Sequence, residues 1–140
     1  MEQGNLDISI NETTLPTVIT DWFASRGWAP HEHQLHMLEA ANKGQSALLV
    51  APTGGGKTMA GFLPSLIDLI ESPDHAGTHT LYISPLKALT TDIGRNLQTP
   101  VSEMGLGLSI GIRTGDTSQA ERKKQSANPP SLYLTTPESL

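Results

Sequence analysis

The run Ala51-Pro52-Thr53-Gly54-Gly55-Gly56-Lys57-Thr58 constrains this chain more than any other feature. Consecutive glycines reach backbone angles that side chains forbid, so they belong to a tight loop rather than a strand or helix. An apolar stretch over 46–51 precedes the loop, and a helical pattern over 57–71 follows it. A strand, a glycine loop and a helix in that order let successive N–H groups curl inward around an anion, with the partial positive charge of the helix start behind them. Thr53, Gly54, Gly55 and Gly56 are then the cradle for phosphate, Lys57 reaches the β- and γ-phosphates, and Thr58 offers its hydroxyl to Mg²⁺. The ligand class is a nucleoside triphosphate. Ala51 stands where the first glycine of this pattern usually does.

The remainder predicts an α/β fold. Upstream, Leu15, Val18, Ile19, Trp22 and Phe23 recur at the spacing of one buried helical face over 14–26, closed by Gly27. A second helix is expected over 30–43, with Pro30 at its start and Gly44 as its stop. Downstream, short runs rich in Leu, Val, Ile and Tyr at 46–51, 78–84, 108–113 and 131–135 read as strands. Helical stretches at 57–71, 85–98, 101–104 and 118–126 separate them. That alternation implies a parallel sheet flanked by helices, with ligands beyond the carboxyl ends of the strands. The organisation expected is a flexible tail over 1–12, a helical segment over 13–45 and a partial nucleotide-binding α/β domain over 46–140.

Composition narrows the function classes. The 36% hydrophobic content suits a cored domain, and no apolar run approaches the ~18 residues of a membrane span, so no membrane partner is expected. Residues 1–12 carry three acids without a basic or apolar leader pattern, so a cytoplasmic protein is the expectation. The absence of cysteine removes disulfides, thiolate zinc sites and thiol catalysis. A formal net charge of −5 means that any contact with nucleic acid is local rather than spread over a basic face.

Other clusters carry less. His31 and His33, two apart, cannot share a helical face, and His33 with His36 makes only two ligands, so capping or solvated histidines are the simpler reading. Arg122, Lys123 and Lys124 form the basic cluster of the chain, either a DNA-facing patch or a solvated helix face. Trp22 and Phe23 read as core.

Four segments in order then carry a family resemblance. Ala51–Thr58, Ser84-Pro-Leu-Lys-Ala-Leu89, Arg113-Thr-Gly-Asp-Thr117 and Thr135-Thr-Pro-Glu-Ser-Leu140 resemble motif I, motif Ia, the Thr-Gly-Asp turn and motif Ib of superfamily 2 helicases. Their wording is most similar to the large helicase-related group, including its ligase-associated DEXH-box branch, over roughly 28–140. The resemblance implies the front part of a RecA-like lobe in an ATP-dependent DNA helicase acting in repair, with ATP and Mg²⁺ as cofactors. It implies loops lining single-stranded DNA through Pro85, Lys87, Thr114, Gly115, Asp116, Thr136, Pro137 and Glu138, gripping sugar-phosphate rather than reading bases. DNA-repair proteins such as a ligase are the further partners it suggests. Gln34 lies where such helicases carry an adenine-sensing glutamine, whose amide both donates and accepts. The plain alternative is a glutamine on an exposed helix side.

Hydrolysis also needs an acidic pair beside Mg²⁺, normally Asp-Glu at the end of a later strand. No Asp-Glu pair occurs here. The sequence expectation is therefore that the chain binds ATP and hydrolyses it poorly, since the DEXH motif and a second lobe are missing. A non-catalytic nucleotide- or nucleic-acid-binding module is the competing reading. A small-molecule kinase would need lid arginines, and Arg26, Arg95, Arg113 and Arg122 show no such arrangement.

Overall fold

The computed structural model describes residues 15–52 and 56–140. The expected tail over 1–12 and the loop residues Thr53, Gly54 and Gly55 lie outside the described residues. The first helix, α1 (Thr17–Ser25), buries Ile19, Trp22 and Phe23 on one face. The second, α2 (Glu32–Asn42), buries Gln34 and Leu38. Both stop near glycines in the left-handed region, Gly27 at φ 68° and Gly44 at φ 66°, a conformation glycine adopts without a Cβ penalty.

The helix after the glycine loop, α3 (Lys57–Glu71), is buried on two sides. Leu63 and Ile67 join Ile19, Trp22, Phe23 and Leu38 in one apolar cluster. Phe62, Leu66 and Leu69 face the sheet and join a second cluster. That position explains why α3 survives Pro64, which removes one helical hydrogen bond.

Three parallel strands follow in the spatial order β1, β3, β2: β1 (Thr80–Ile83), β2 (Ile110–Arg113) and β3 (Leu132–Thr135). Leu132 and Leu134 of the central strand are fully buried beneath Ile93, Leu97 and Val101 of α4 (Lys87–Glu103). The short α5 (Gln119–Ala127) joins β2 to β3, and a 3-10 turn at Pro137–Ser139 ends the order. The parallel α/β class predicted from the alternation is the fold observed.

Two details differ. Residues 46–51 form no strand: they have no ladder partner, and Leu48 and Val50 stay 89% and 85% exposed. A strand exists only through a neighbour's hydrogen bonds, and none of the three described strands pairs with this segment. The helices expected at 85–98 and 101–104 are one helix, α4, running through Pro100. Pro100 is itself buried, and Leu97 and Val101 on either side are 1% and 2% exposed, so packing outweighs the lost hydrogen bond. Among the described residues, no helix is long and apolar enough to cross a membrane.

Candidate nucleotide and nucleic-acid site

Gly56 supplies the bend that starts α3. It sits at φ 76°, and a Cβ there would come within 2.7 Å of Gln34 Nε2 and 3.3 Å of the His31 ring. The turn therefore needs glycine for its backbone angle and again for the closeness of α2. Lys57 and Thr58, the first two residues of the helix, are exposed, so both remain available to a phosphate and its metal ion. An N-terminal helix end with a lysine and a hydroxyl suits the triphosphate and Mg²⁺ that the sequence implies.

Gln34 is placed differently from a surface glutamine. It is 2% exposed, its Oε1 accepts the His31 N–H at 2.8 Å, and its Nε2 donates to the Gly56 carbonyl oxygen at 3.2 Å. One amide thus ties the start of α2 to the glycine loop. Beside it opens a cavity of about 620 Å³, with Trp28, His31, Gln34, Gly56, Thr58 and Asn96 among its walls. Trp28 is 56% exposed there.

Arg26 braces the cavity, a role that no sequence signal reveals because its partner lies 77 positions away. Its guanidinium sits 5.6 and 5.7 Å from the Trp22 and Trp28 ring centres and donates to both Glu103 oxygens, at 2.5 and 2.7 Å. Trp22 Nε1 donates to the same carboxylate at 2.7 Å. Hydrogen bonds from Arg26 first and Trp22 second hold the Glu103 carboxyl below its ordinary value, and the bond to Glu103 raises Arg26.

The strand register brings the three later motifs together. Ile83, Thr135 and Arg113 lie side by side at the carboxyl ends of β1, β3 and β2, so the segments starting at Ser84, Thr136 and Thr114 leave the sheet from one edge. The Ser84 N–H donates to the Thr135 carbonyl at 3.0 Å, and Thr135 Oγ1 donates to the Arg113 carbonyl at 2.7 Å. Pro85, Lys87, Gly115, Asp116, Pro137 and Glu138 are exposed on this rim. Lys87 Nζ lies 3.6 Å from Asp116 Oδ1.

Thr114 and Thr136 are 5% and 1% exposed, so their side chains do not face outward with the rest. Thr114 Oγ1 accepts the Asp116 N–H at 3.2 Å and so shapes the turn. Of the basic cluster, Arg122 is directed inward to two backbone carbonyls, while Lys123 and Lys124 are exposed. His31 and His33 stack at 5.2 Å, and among the described residues no group of three or more His, Asp or Glu side chains could hold a metal.

Comparison with known proteins shows the family. The model of the DEAD/DEAH box helicase family matches residues 31–140. Over 133 residues the chain is 41% identical to the Lhr helicase/probable uracil glycosylase of Mycolicibacterium smegmatis, covering 86% of this chain and 9% of that protein. It is 41% identical over 138 residues to the Lhr helicase/uracil glycosylase of Escherichia coli, with the same coverage of each. The solved structure of Mycobacterium smegmatis helicase Lhr bound to ssDNA and AMP-PNP superposes with a TM-score of 0.82 at 37% identity, covering 91% of this chain and 18% of that one. The DUF1998 helicase MrfA superposes at 0.81 with 29% identity, over 91% of this chain and 20% of its own. The chain thus spans about a tenth of the curated Lhr proteins it resembles. With a family model matched from the start of α2 to the last residue, the chain belongs to the DEAD/DEAH box helicases, close to the Lhr group, and represents the N-terminal part of a first RecA-like lobe.

Proposed function

We propose that these residues bind ATP for a DNA helicase acting in repair, and hold single-stranded DNA along the rim of the sheet. The observation that carries the reading is the register of Ile83, Thr135 and Arg113, from which three motif loops leave one edge. The relative solved with ssDNA and AMP-PNP supports the same assignment of ligands. Gly56 and the preceding loop residues Thr53, Gly54 and Gly55 cradle phosphate, Lys57 neutralises it, and Thr58 holds Mg²⁺. The remaining valences of Gln34 meet the adenine edge. Pro85, Lys87, Gly115, Asp116, Pro137 and Glu138 line the strand, with Thr114 and Thr136 setting the turns beneath it. Backbone N–H groups supply contacts that an acidic chain cannot make by charge alone. DNA-repair proteins such as a ligase are proposed partners, and the cytoplasm is the proposed location.

Mg²⁺, once bound, would stabilise the charge that develops on the phosphates. A module that binds nucleotide and nucleic acid without hydrolysis is the competing reading. Titration with a fluorescent ATP analogue and Mg²⁺ tests the first claim. Lys57→Ala should weaken binding by about ten- to a hundredfold, the worth of a charge-assisted contact. Unchanged affinity would remove Lys57 from the phosphate site. Phosphate release stimulated by single-stranded DNA would exclude the binding-only module.

A further inference from the structure

We infer that Arg122 is the positioning residue of the Thr114–Thr117 turn: it acts on a bound strand through the backbone it clamps, not by touching phosphate. The inference rests on the strand-track reading above. Arg122 Nε donates to the Thr117 carbonyl and its Nη2 to the Thr114 carbonyl, both at 3.1 Å. One planar guanidinium therefore spans both ends of the turn. Inside the turn, the Thr114 N–H donates to Thr117 Oγ1 at 2.9 Å, and the Thr117 N–H donates to the Thr114 carbonyl at 3.2 Å. Thr117 Oγ1 donates in turn to the Ile112 carbonyl at 3.3 Å. Helix α5 starts on Ser118, whose Oγ accepts the Glu121 N–H at 3.2 Å, so Arg122 projects from an ordered first turn.

Gly115 and Asp116 project to the rim from this clamped frame. A Cβ at Gly115 would meet Lys87 Nζ at 3.3 Å, and that amine lies 3.6 Å from Asp116 Oδ1, so the lysine of α4 sits beside the turn. A shift of the turn would displace the Gly115 and Asp116 backbone, while Lys87 stays anchored on α4. The Arg-Lys-Lys cluster accordingly divides by role. Lys123 and Lys124 are exposed charges, while Arg122 is committed to carbonyl oxygens.

The test measures binding of the whole chain to a labelled oligothymidylate over a range of salt, using Arg122→Gln, Arg122→Lys and Lys87→Gln, with nucleotide affinity followed in parallel. Arg122→Gln should weaken strand binding by about five- to twentyfold, the loss of two charge-assisted hydrogen bonds acting indirectly. Arg122→Lys should fail to restore it, because a point charge cannot reproduce the fork. Neither change should alter the salt slope, whereas Lys87→Gln should lower it by about 0.7, one phosphate contact to a single strand. Nucleotide affinity should stay at the parent value, which reports that the variants are folded and that the effect is local. A lower salt slope in Arg122→Gln with full rescue by lysine would make Arg122 a direct phosphate contact and overturn the inference. Unchanged affinity in Arg122→Gln, with Lys87→Gln impaired, would overturn it while leaving the strand track standing. Absence of strand binding by the parent chain would remove both.

Discussion

Gln34 Nε2 donates to the Gly56 carbonyl at 3.2 Å, joining α2 to the glycine loop across 22 positions of sequence. Its Oε1 simultaneously accepts the His31 N–H, and the residue is 2% exposed. Gln34→Ala would leave a backbone donor and acceptor without their partner, a loss of about 1–3 kcal/mol. Gln34→Glu would do worse, since a carboxylate cannot donate to the Gly56 oxygen and would be buried against it. Urea denaturation should rank the parent above Gln34→Ala and Gln34→Glu last. ATP and GTP analogues should both bind Gln34→Ala more weakly, with the larger loss for ATP. A loss confined to ATP would mean that the amide serves the base alone.

On the rim, the Lys87 amine and the Asp116 carboxylate are 3.6 Å apart and both largely exposed. A strand phosphate must compete with that carboxylate for the lysine. Asp116→Asn should tighten single-stranded DNA binding by about two- to fivefold, in keeping with the small worth of exposed ion pairs. The gain should disappear in the Lys87→Gln background and shrink as salt rises. Fluorescence anisotropy of a labelled oligonucleotide measures all three. Weaker binding by Asp116→Asn would instead make the carboxylate itself a strand contact.

Periodicity and spacing made the helices, three of the four expected strands and the order of the motifs legible. What stayed hidden depends on partners distant in sequence. Leu48 and Val50 carry a good strand pattern, yet the pattern cannot supply a neighbouring ladder. Pro100 reads as a helix break until Leu97 and Val101 are seen packed around it. Motif wording marked the loops that reach the rim but not the direction of each side chain. Thr114 and Thr136 turn inward, and Arg122, read among solvated neighbours, turns toward carbonyls. No local signal joins Arg26 to Glu103, or Gln34 to Gly56.

The Arg26–Glu103 pair makes stability depend on pH. Hydrogen bonds from Arg26 and Trp22 depress the Glu103 pKa in the folded state. A depressed carboxyl contributes stability that is present above its unfolded pKa of about 4.3 and is lost as pH falls through the folded value. Glu103→Gln should therefore melt below the parent at pH 7, and the gap should close as the pH is lowered into the region where Glu103 takes up its proton. Thermal melts followed by tryptophan fluorescence also report on Trp22, whose indole N–H contacts the same carboxylate. A constant gap down to pH 2 would exclude the carboxylate charge as its source.

Two helical glycines should respond to alanine with opposite signs. At Gly94 in α4, an added Cβ would overlap Ile112 Cδ1 and approach Cγ1 at 3.0 Å, with Leu134 Cδ2 at 3.8 Å. The glycine lets α4 lie close to β2 and β3, and filling that space costs about 1–3 kcal/mol through displaced core side chains. The gain in helix propensity of about 1 kcal/mol does not offset it. At Gly61 in α3 nothing lies within 4 Å of the added atom, and the residue is exposed. There the propensity gain stands alone, so Gly61→Ala should stabilise by roughly 0.5–1 kcal/mol. Urea midpoints on the two variants, with unchanged slopes, would show the contrast. Stabilisation by Gly94→Ala would mean that Ile112 moves aside freely, and that the close seating of α4 on the sheet does not depend on glycine.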